Sequence, residues 1–449
     1  MAPQKVQKAV LFTRLVGYAF RMLFSHLQRV ASTRLAAWTA LSPTLVDASD
    51  VKNIVVVGAA FAGYFATKVL ANSLPRNGKY RVVVIEPNSH FNFTWVLPRF
   101  CIVEGHENKA FIPYTPDFFA QAPDGIVSWV RDRVLTVGKT SVRLQGGEEI
   151  PYEFLIIATG STVPDGLPSR LGVDNKEEGV QLLKGVQAKI RAASHVVVAG
   201  GGAAGVELAT DAKHQYPDKS VTLVHSRPSV MHRFGPELQA EAMKALERLG
   251  VDVILEEKAM PGSADGTSID LKSGRVINCD CLINCTGQRP ASDIIAELSP
   301  DSISPTGHIK VKPTLQIADD SLPNIYVCGD VSETHDSNPN SRIAARQAQI
   351  AADNIVSVVR GRAKRRTYSP EFGDGVIKLT LGLDSSIMQF WDGKSELLFS
   401  SKETDLALMC RGAWSAIGAK PFVDTGVYKG QSLTAHEFLS RDRSDDDVA

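Results

Sequence analysis

The chain has 449 residues, 44% hydrophobic and 22% charged, enough for about two to three domains with sizeable cores. Its formal net charge of zero gives no reason to expect a nucleic-acid partner. Six scattered cysteines exclude a secreted disulfide scaffold and point to a reducing, intracellular setting, and no apolar run is long enough for a transmembrane helix.

The first fifty residues stand apart. No acidic residue precedes Asp47, whereas Lys5, Lys8, Arg14, Arg21, Arg29 and Arg34 all do. Gln7, Arg14, Arg21 and Gln28 recur at heptad spacing and share one stripe of a helix, while Val10, Leu11, Leu15, Tyr18, Phe20, Met22 and Phe24 fill much of the rest. The pattern predicts a basic amphipathic leader over residues 1–50, read as a mitochondrial presequence, a membrane-surface anchor or an extension without a role. Arginines interrupt the apolar region too often for a secretory signal.

Next comes NIVVVGAAFAGYFATKVL (53–70), an apolar strand, a tight small-residue turn and a helix start. The turn Gly58-Ala59-Ala60-Phe61-Ala62-Gly63 has the layout of a dinucleotide-binding loop. Gly58 turns the chain off the strand, and Gly63 lets helix pack on strand. Ala60 adds one methyl group where backbone must approach a pyrophosphate, narrowing that approach without closing it. The following strand, YRVVVIEP (80–87), ends in Glu86, about 20 residues on, where a carboxylate accepts hydrogen bonds from ribose hydroxyls.

The same grammar returns in HVVVAGGGAAGVELATDAK (195–213), now with all three glycines, Gly200, Gly202 and Gly205. Its next strand ends in SVTLVHSRPS (220–229), with His225 in place of the acid and Arg227 two residues further. Loss of the acid removes repulsion of a 2′-phosphate, and a guanidinium can pair with one. The second site thus tolerates or prefers NADPH; the alternative for Arg227 is a solvated turn residue.

Two turns of different character suggest a flavin and a pyridine nucleotide. FLIIATGS (154–161), LINCTGQRP (282–290) and NIYVCGDVSE (324–333) follow in an order that resembles the two-dinucleotide flavoprotein reductases. The resemblance implies two Rossmann-type three-layer α/β domains, glutathione-reductase-like, with Thr159, Gly160 and Gly287 at the crossovers between them. It also implies that Asp330 bonds the ribityl chain of FAD and that Glu207 contacts the nicotinamide. An acid near a helix N-terminus, favoured by the helix dipole, is the plainer account of Glu207.

The disulfide-reductase branch carries a redox cysteine pair, but here NSHFNFTWVLPRFCIVEG (88–105) holds only Cys101. Cys279 and Cys281 sit at period two, which predicts one strand face and core packing. The pattern of Phe91, Phe93, Thr94, Leu97 and Pro98 resembles type II NADH:quinone dehydrogenases. EGHENKAFIPY (104–114) and YPDKSVTLVHS (216–226) are similar to the apoptosis-inducing-factor-like, mitochondrion-associated branch that includes the ferroptosis suppressors. From that branch follow Arg99 against FAD, a backbone contact near Asp132 or Arg133, and Lys402 of SKETDLALM (401–409) near the flavin; otherwise Lys402 is an ordinary exposed lysine. GLDSSIMQF (382–390) departs from the branch's glycine-rich turn, and Ala2 rules out N-myristoylation.

The expected organisation is a leader (1–50), an FAD domain (51–170 and 291–365), an NAD(P)H domain (171–290) and a small C-terminal α/β cap (366–449) with a disordered tail from about residue 440. The resemblance implies hydride transfer from NAD(P)H to FAD and electrons passed on to a quinone-type acceptor, with mitochondrial or membrane-associated placement through residues 1–50. The alternatives are a soluble reductase of a small metabolite or redox partner, and a signalling flavoprotein with slow NAD(P)H oxidation.

Overall fold

The structure is a computed structural model that describes residues 4–38, 50–115, 122, 125–163, 166–260, 268–334, 339–363, 365–391, 393–426 and 434–444. Expectations for residues 1–3, 39–49 and 445–449 lie outside the described residues.

The strand Lys52–Val57 is a β-branched run buried along nearly its whole length. Such a strand belongs inside a parallel sheet covered on both faces. It pairs in parallel with Tyr80–Ile85 on one side and Phe154–Ile157 on the other. Val127–Val130 and Ile325–Val327 extend the sheet to five strands. The helix Phe61–Ser73 leaves the first turn and packs against Ser341–Val359.

The second sheet has four parallel strands, in the order Asp252–Ile254, Ser220–Val224, His195–Ala199 and Cys281–Asn284. Its turn helix, Ala203–Gln215, packs on Pro236–Leu249. The two parallel sheets are stitched by a short antiparallel pair, Ser161–Thr162 with Arg289–Pro290. The chain therefore passes out of the first sheet and back through neighbouring segments, which fixes one dinucleotide fold against the other.

After the second pass the chain forms an antiparallel sheet of Ile377–Thr380, Ser385–Trp391 and Glu396–Lys402, then the helix Cys410–Ala416. This cap is bonded to the first domain. Trp414 Nε1 donates to Lys109 O at 2.9 Å, Tyr64 OH to Ile417 O at 3.2 Å, and Thr115 Oγ1 to Gly418 O at 3.1 Å.

Both ends of the chain return to the folded body. The leader is helical over Gln4–Trp38, and Leu11 is buried against Phe390 and Leu397 of the cap sheet. Lys8 pairs with Glu237 at 2.9 Å and Arg21 with Glu371 at 2.5 Å. At the other end Ala435–Ser444 is a helix whose Phe438 is buried, with the Arg81 guanidinium 4.6 Å from its ring centroid. Residues 440–444, expected to be disordered, are thus helical, because Phe438 anchors that helix on the first domain.

Cys279 and Cys281, expected on one strand face, are separated in the fold. Cys281 starts a strand of the second sheet and packs in the main core, whereas Cys279 precedes it and packs with Ile269 and Ile277 of a separate hairpin. They do not share a strand face. All six cysteines are free.

Candidate functional site

At the first turn Gly58 has φ +91°, and a Cβ there would lie 2.6 Å from Ala158 O. A Cβ on Gly63 would lie 1.7 Å from Gly58 O, so only glycine allows helix and strand to approach this closely. Ala60 is the exposed N-cap of Phe61–Ser73 and makes no side-chain cap, leaving the first-turn amides for an anion. Ala59 N donates to Glu86 Oε2 at 2.5 Å, and Glu86 Oε1 accepts from Asn88 N and Nδ2. Burial pushes the Glu86 carboxyl up from its ordinary value, opposed by these bonds. Phe61 meets Phe91 edge-on and stacks on Trp95. Ala62 lies where a Cβ on Gly329 would come within 3.0 Å, so the helix start abuts the segment that carries Asp330.

Asp330 Oδ2 accepts from Arg170 Nη2 at 3.0 Å and from Ser161 Oγ at 3.4 Å. Thr159 Oγ1 donates to Ala291 O at 2.7 Å, and Ala291 N to Gly160 O at 2.9 Å. Gly160 and Gly287 both have positive φ at the crossovers. The Asp132 carboxylate takes the amides of Arg133 and Gly146, and the Arg133 guanidinium pairs with Asp174. The neighbouring Arg131 donates from Nε to Pro87 O at 3.4 Å and bonds Asn175. Arg131, which the sequence did not single out, follows the strand beside Tyr80–Ile85 and brings a guanidinium next to the residue after Glu86.

At the second turn a Cβ on Gly205 would lie 1.8 Å from Gly200 O, repeating the Gly58–Gly63 geometry. Gly202 caps Ala203–Gln215 and faces open space. His225 is buried, and its Nδ1 accepts from Gly201 N at 3.0 Å. That bond assigns the ring proton to Nε2, which lies 3.3 Å from His232 Nδ1. Burial, reinforced by His232 and Arg227, pulls His225 down to about 4, so the ring is neutral at physiological pH. Arg227, His232 and Arg233 are exposed around it.

Three segments meet where the domains and cap converge. Glu207 Oε1 accepts from Thr380 N at 3.0 Å and Thr380 Oγ1 at 3.2 Å, and burial pushes its carboxyl up to about 7. One helical turn on, Asp211 is fully buried and pairs with Arg99 at 2.6 Å; burial raises it to about 6 against the pull of Arg99. Arg99, expected against the flavin, is 1% exposed and also donates to Gly382 O at 3.0 Å. Protein partners thus take two of its three nitrogens. Arg99 Nη1 and Asp211 Oδ1 are buried without a partner among the described residues.

Lys402 is exposed at the end of its strand. The register lines up Thr380, Ser386 and Ser401, so Lys402, paired with Ser385, stands at the same end of the cap sheet as Thr380 and Gly382, two strands away and on the opposite face. None of the cysteines is suited to electron relay, since burial raises the thiols of Cys101, Cys279, Cys281, Cys285, Cys328 and Cys410 and disfavours the reactive thiolate. Among the described residues no cluster of His, Cys, Asp and Glu side chains is arranged to hold a metal ion.

Two glycine turns on two parallel sheets, joined by paired crossovers and roofed by a cap, define a two-dinucleotide oxidoreductase that uses FAD and NAD(P)H. The chain belongs to the pyridine nucleotide-disulphide oxidoreductase family, which it matches over residues 52–351. It is 34% identical over 367 residues to Fe-regulated protein 8 of Mycosarcoma maydis, an alignment covering 76% of this chain and 90% of that protein. It is 27% identical over 350 residues to human ferroptosis suppressor protein 1, covering 76% and 89%. Among solved structures, the sulfide:quinone oxidoreductase of Aquifex aeolicus superposes with TM-score 0.66 at 15% identity, covering 86% of this chain and 99% of that one, a likeness of fold.

Proposed function

We propose that this FAD-dependent pyridine nucleotide oxidoreductase passes electrons from NAD(P)H to a quinone-type acceptor at an intracellular membrane, the mitochondrion being the one its branch implies. Bound FAD would supply the redox chemistry, hydride acceptance from a nicotinamide and two-electron transfer onward. The first turn, Glu86 and Asp330 would hold it. The open face at Gly202 and the neutral, arginine-flanked end at His225 would hold NAD(P)H, with a 2′-phosphate tolerated.

The observation that carries the reading is the junction of Arg99, Glu207 and Thr380–Gly382, where both domains and the cap meet with no ionisable thiol among them. Electrons therefore leave directly to a small acceptor rather than through a cysteine relay. A quinone also needs protons, and Glu207, titrating near 7, can hold or release one at this junction. The aromatic run Phe91–Trp95, similar to that of type II NADH:quinone dehydrogenases, favours a quinone over a peptide or a charged metabolite.

The test is steady-state turnover of the purified flavin-loaded chain with NADPH or NADH and short-chain quinones, ferricyanide or oxygen. Quinone turnover well above oxygen turnover, with ping-pong kinetics, supports the reading. Rapid ferricyanide reduction without quinone reduction supports a protein or metabolite partner. Slow turnover with every acceptor supports a signalling flavoprotein.

A further inference from the structure

We propose that the N-terminal helix is the membrane-seating face of the folded protein: one side is keyed into the cap and the opposite side lies on a lipid bilayer. The inference rests on the reading of a lipid-borne quinone for what it serves, and on the helix geometry for its substance.

The keyed side is specific. Leu11 and Tyr18, one heptad apart, are 3% and 5% exposed. Tyr18 fills a slot that exists because residue 373 is glycine, since a Cβ there would lie 2.3 Å from the tyrosine ring. Its hydroxyl lies 3.3 Å from Asp374 Oδ1, and Asp374 is itself held by Arg346 and the amide of Glu371. Lys8 and Arg21 pin the same side to two different parts of the body, Glu237 and Glu371. A segment that serves only as an import signal has no use for such a slot.

The opposite side is bare. Phe12, Val16, Phe20, Leu23, Phe24 and Leu27 are all exposed, Phe20 and Phe24 by 68% and 62%. With about 3.6 residues per turn they fall in a sector of roughly 120° opposite Leu11 and Tyr18. No charged residue shares that sector between Phe12 and Leu27. Arg14 and Arg21 lie outside it, about 60–80° past its edge and toward the keyed side. Such a face is far larger than scattered exposed apolar residues produce.

The stripe continues onto the cap. Phe390 pairs with Leu397 and Met388 with Phe399, so all four lie on one face of the antiparallel sheet. The helix covers the first pair, while Met388 and Phe399 stay exposed beside it. Thr380 pairs with Ser386, two residues from Met388, and so lies on that same face at the end of the sheet, and a bilayer against this face would deliver an apolar acceptor beside the junction. Charge selects lipid over a second copy. With no acidic residue before Asp47, two such helices would bring like charges together, whereas an anionic headgroup layer complements them.

The experiment is flotation of the full-length flavin-loaded chain with phosphatidylcholine vesicles, with and without phosphatidylserine. The protein should float, more so with phosphatidylserine. Phe20→Glu/Phe24→Glu should weaken partitioning by roughly a hundredfold or more, while flavin content and ferricyanide turnover stay unchanged. Should that variant lose flavin, Leu27→Asp replaces it. Equal flotation of wild type and variant, or no flotation with either vesicle, overturns the proposal. So does a dimer in light scattering that the variant dissolves, because a second copy then covers the face. If vesicles bind but quinone is not reduced, only the quinone reading fails; if quinone is reduced without vesicle binding, only the membrane face fails.

Discussion

Glu86 and His225 occupy the same place in two nucleotide folds and make the same bond. Each ends the second strand of its sheet and accepts the amide that follows the first glycine of its turn, Ala59 N for Glu86 and Gly201 N for His225. The bond needs an acceptor there, and a neutral imidazole nitrogen serves as well as a carboxylate. What changes is the group presented to the ribose: a carboxyl at the first site, a neutral imidazole flanked by arginines at the second.

His225→Glu should therefore convert the second site to the character of the first. The ratio of kcat/KM for NADPH over NADH should fall by about tenfold to a hundredfold, the range of one bond to a charged group. Arg227→Ala should raise the KM for NADPH and leave NADH nearly unaffected. Equal changes for both cofactors would return Arg227 to a solvated turn.

Flavin retention tests the other nucleotide site. Asp330→Ala removes a carboxylate that, in the proposed site, would accept from a ribityl hydroxyl; such a bond is worth about 1.5–3 kcal/mol, so FAD affinity should drop by roughly ten- to a hundredfold. Absorbance after gel filtration reads the occupancy. Full occupancy in the variant rejects the assignment.

The local grammar of the site was legible in the sequence, and its long-range pairings were not. Gly58, Gly63, Gly200 and Gly205 act within their own strand–turn–helix units, so spacing alone predicts them. Glu86 and His225 follow at a distance set by one helix and one strand. Arg99–Asp211 and Glu207–Thr380 join residues 112 and 173 positions apart, and no spacing rule anticipates them. The leader shows the same limit. Periodicity predicted the helix, but the docked side was decided by the slot at Gly373, hundreds of residues away. Phe438, similarly, made a charged tail helical by reaching the first domain.

The Arg99–Asp211 pair is a buried ion pair between domains, and breaking one half strands the other. Arg99→Met should destabilise the chain by about 3–5 kcal/mol. Arg99→Met/Asp211→Leu should recover most of that loss, because no charge is left unpaired. Denaturant midpoints of the wild type, both single variants and the double variant measure the coupling. Additive losses would show that the pair does not act as a unit.

Glu207 gives a pH signature. Burial raises its carboxyl from 4.5 to about 7, so it is protonated in mildly acid solution and ionises through neutrality. The folded state then binds more protons than the unfolded one between about 4.5 and about 7, so its contribution to stability is lost as pH rises through that window. Asp211, raised to about 6, acts in the same direction. Glu207→Gln should flatten the fall in Tm across this range and remove an inflection near pH 7 from kcat/KM. An unchanged profile would place the titrating group elsewhere.

The most direct test of the central claim is anaerobic stopped-flow absorbance of the flavin in the full-length chain, in two separate half-reactions. NADPH should bleach the oxidised flavin band, and a quinone added afterwards should restore it at a rate at least equal to steady-state turnover. Bleaching followed by no recovery with quinone would contradict the account, because electrons would then enter the protein without leaving to the acceptor assigned to it.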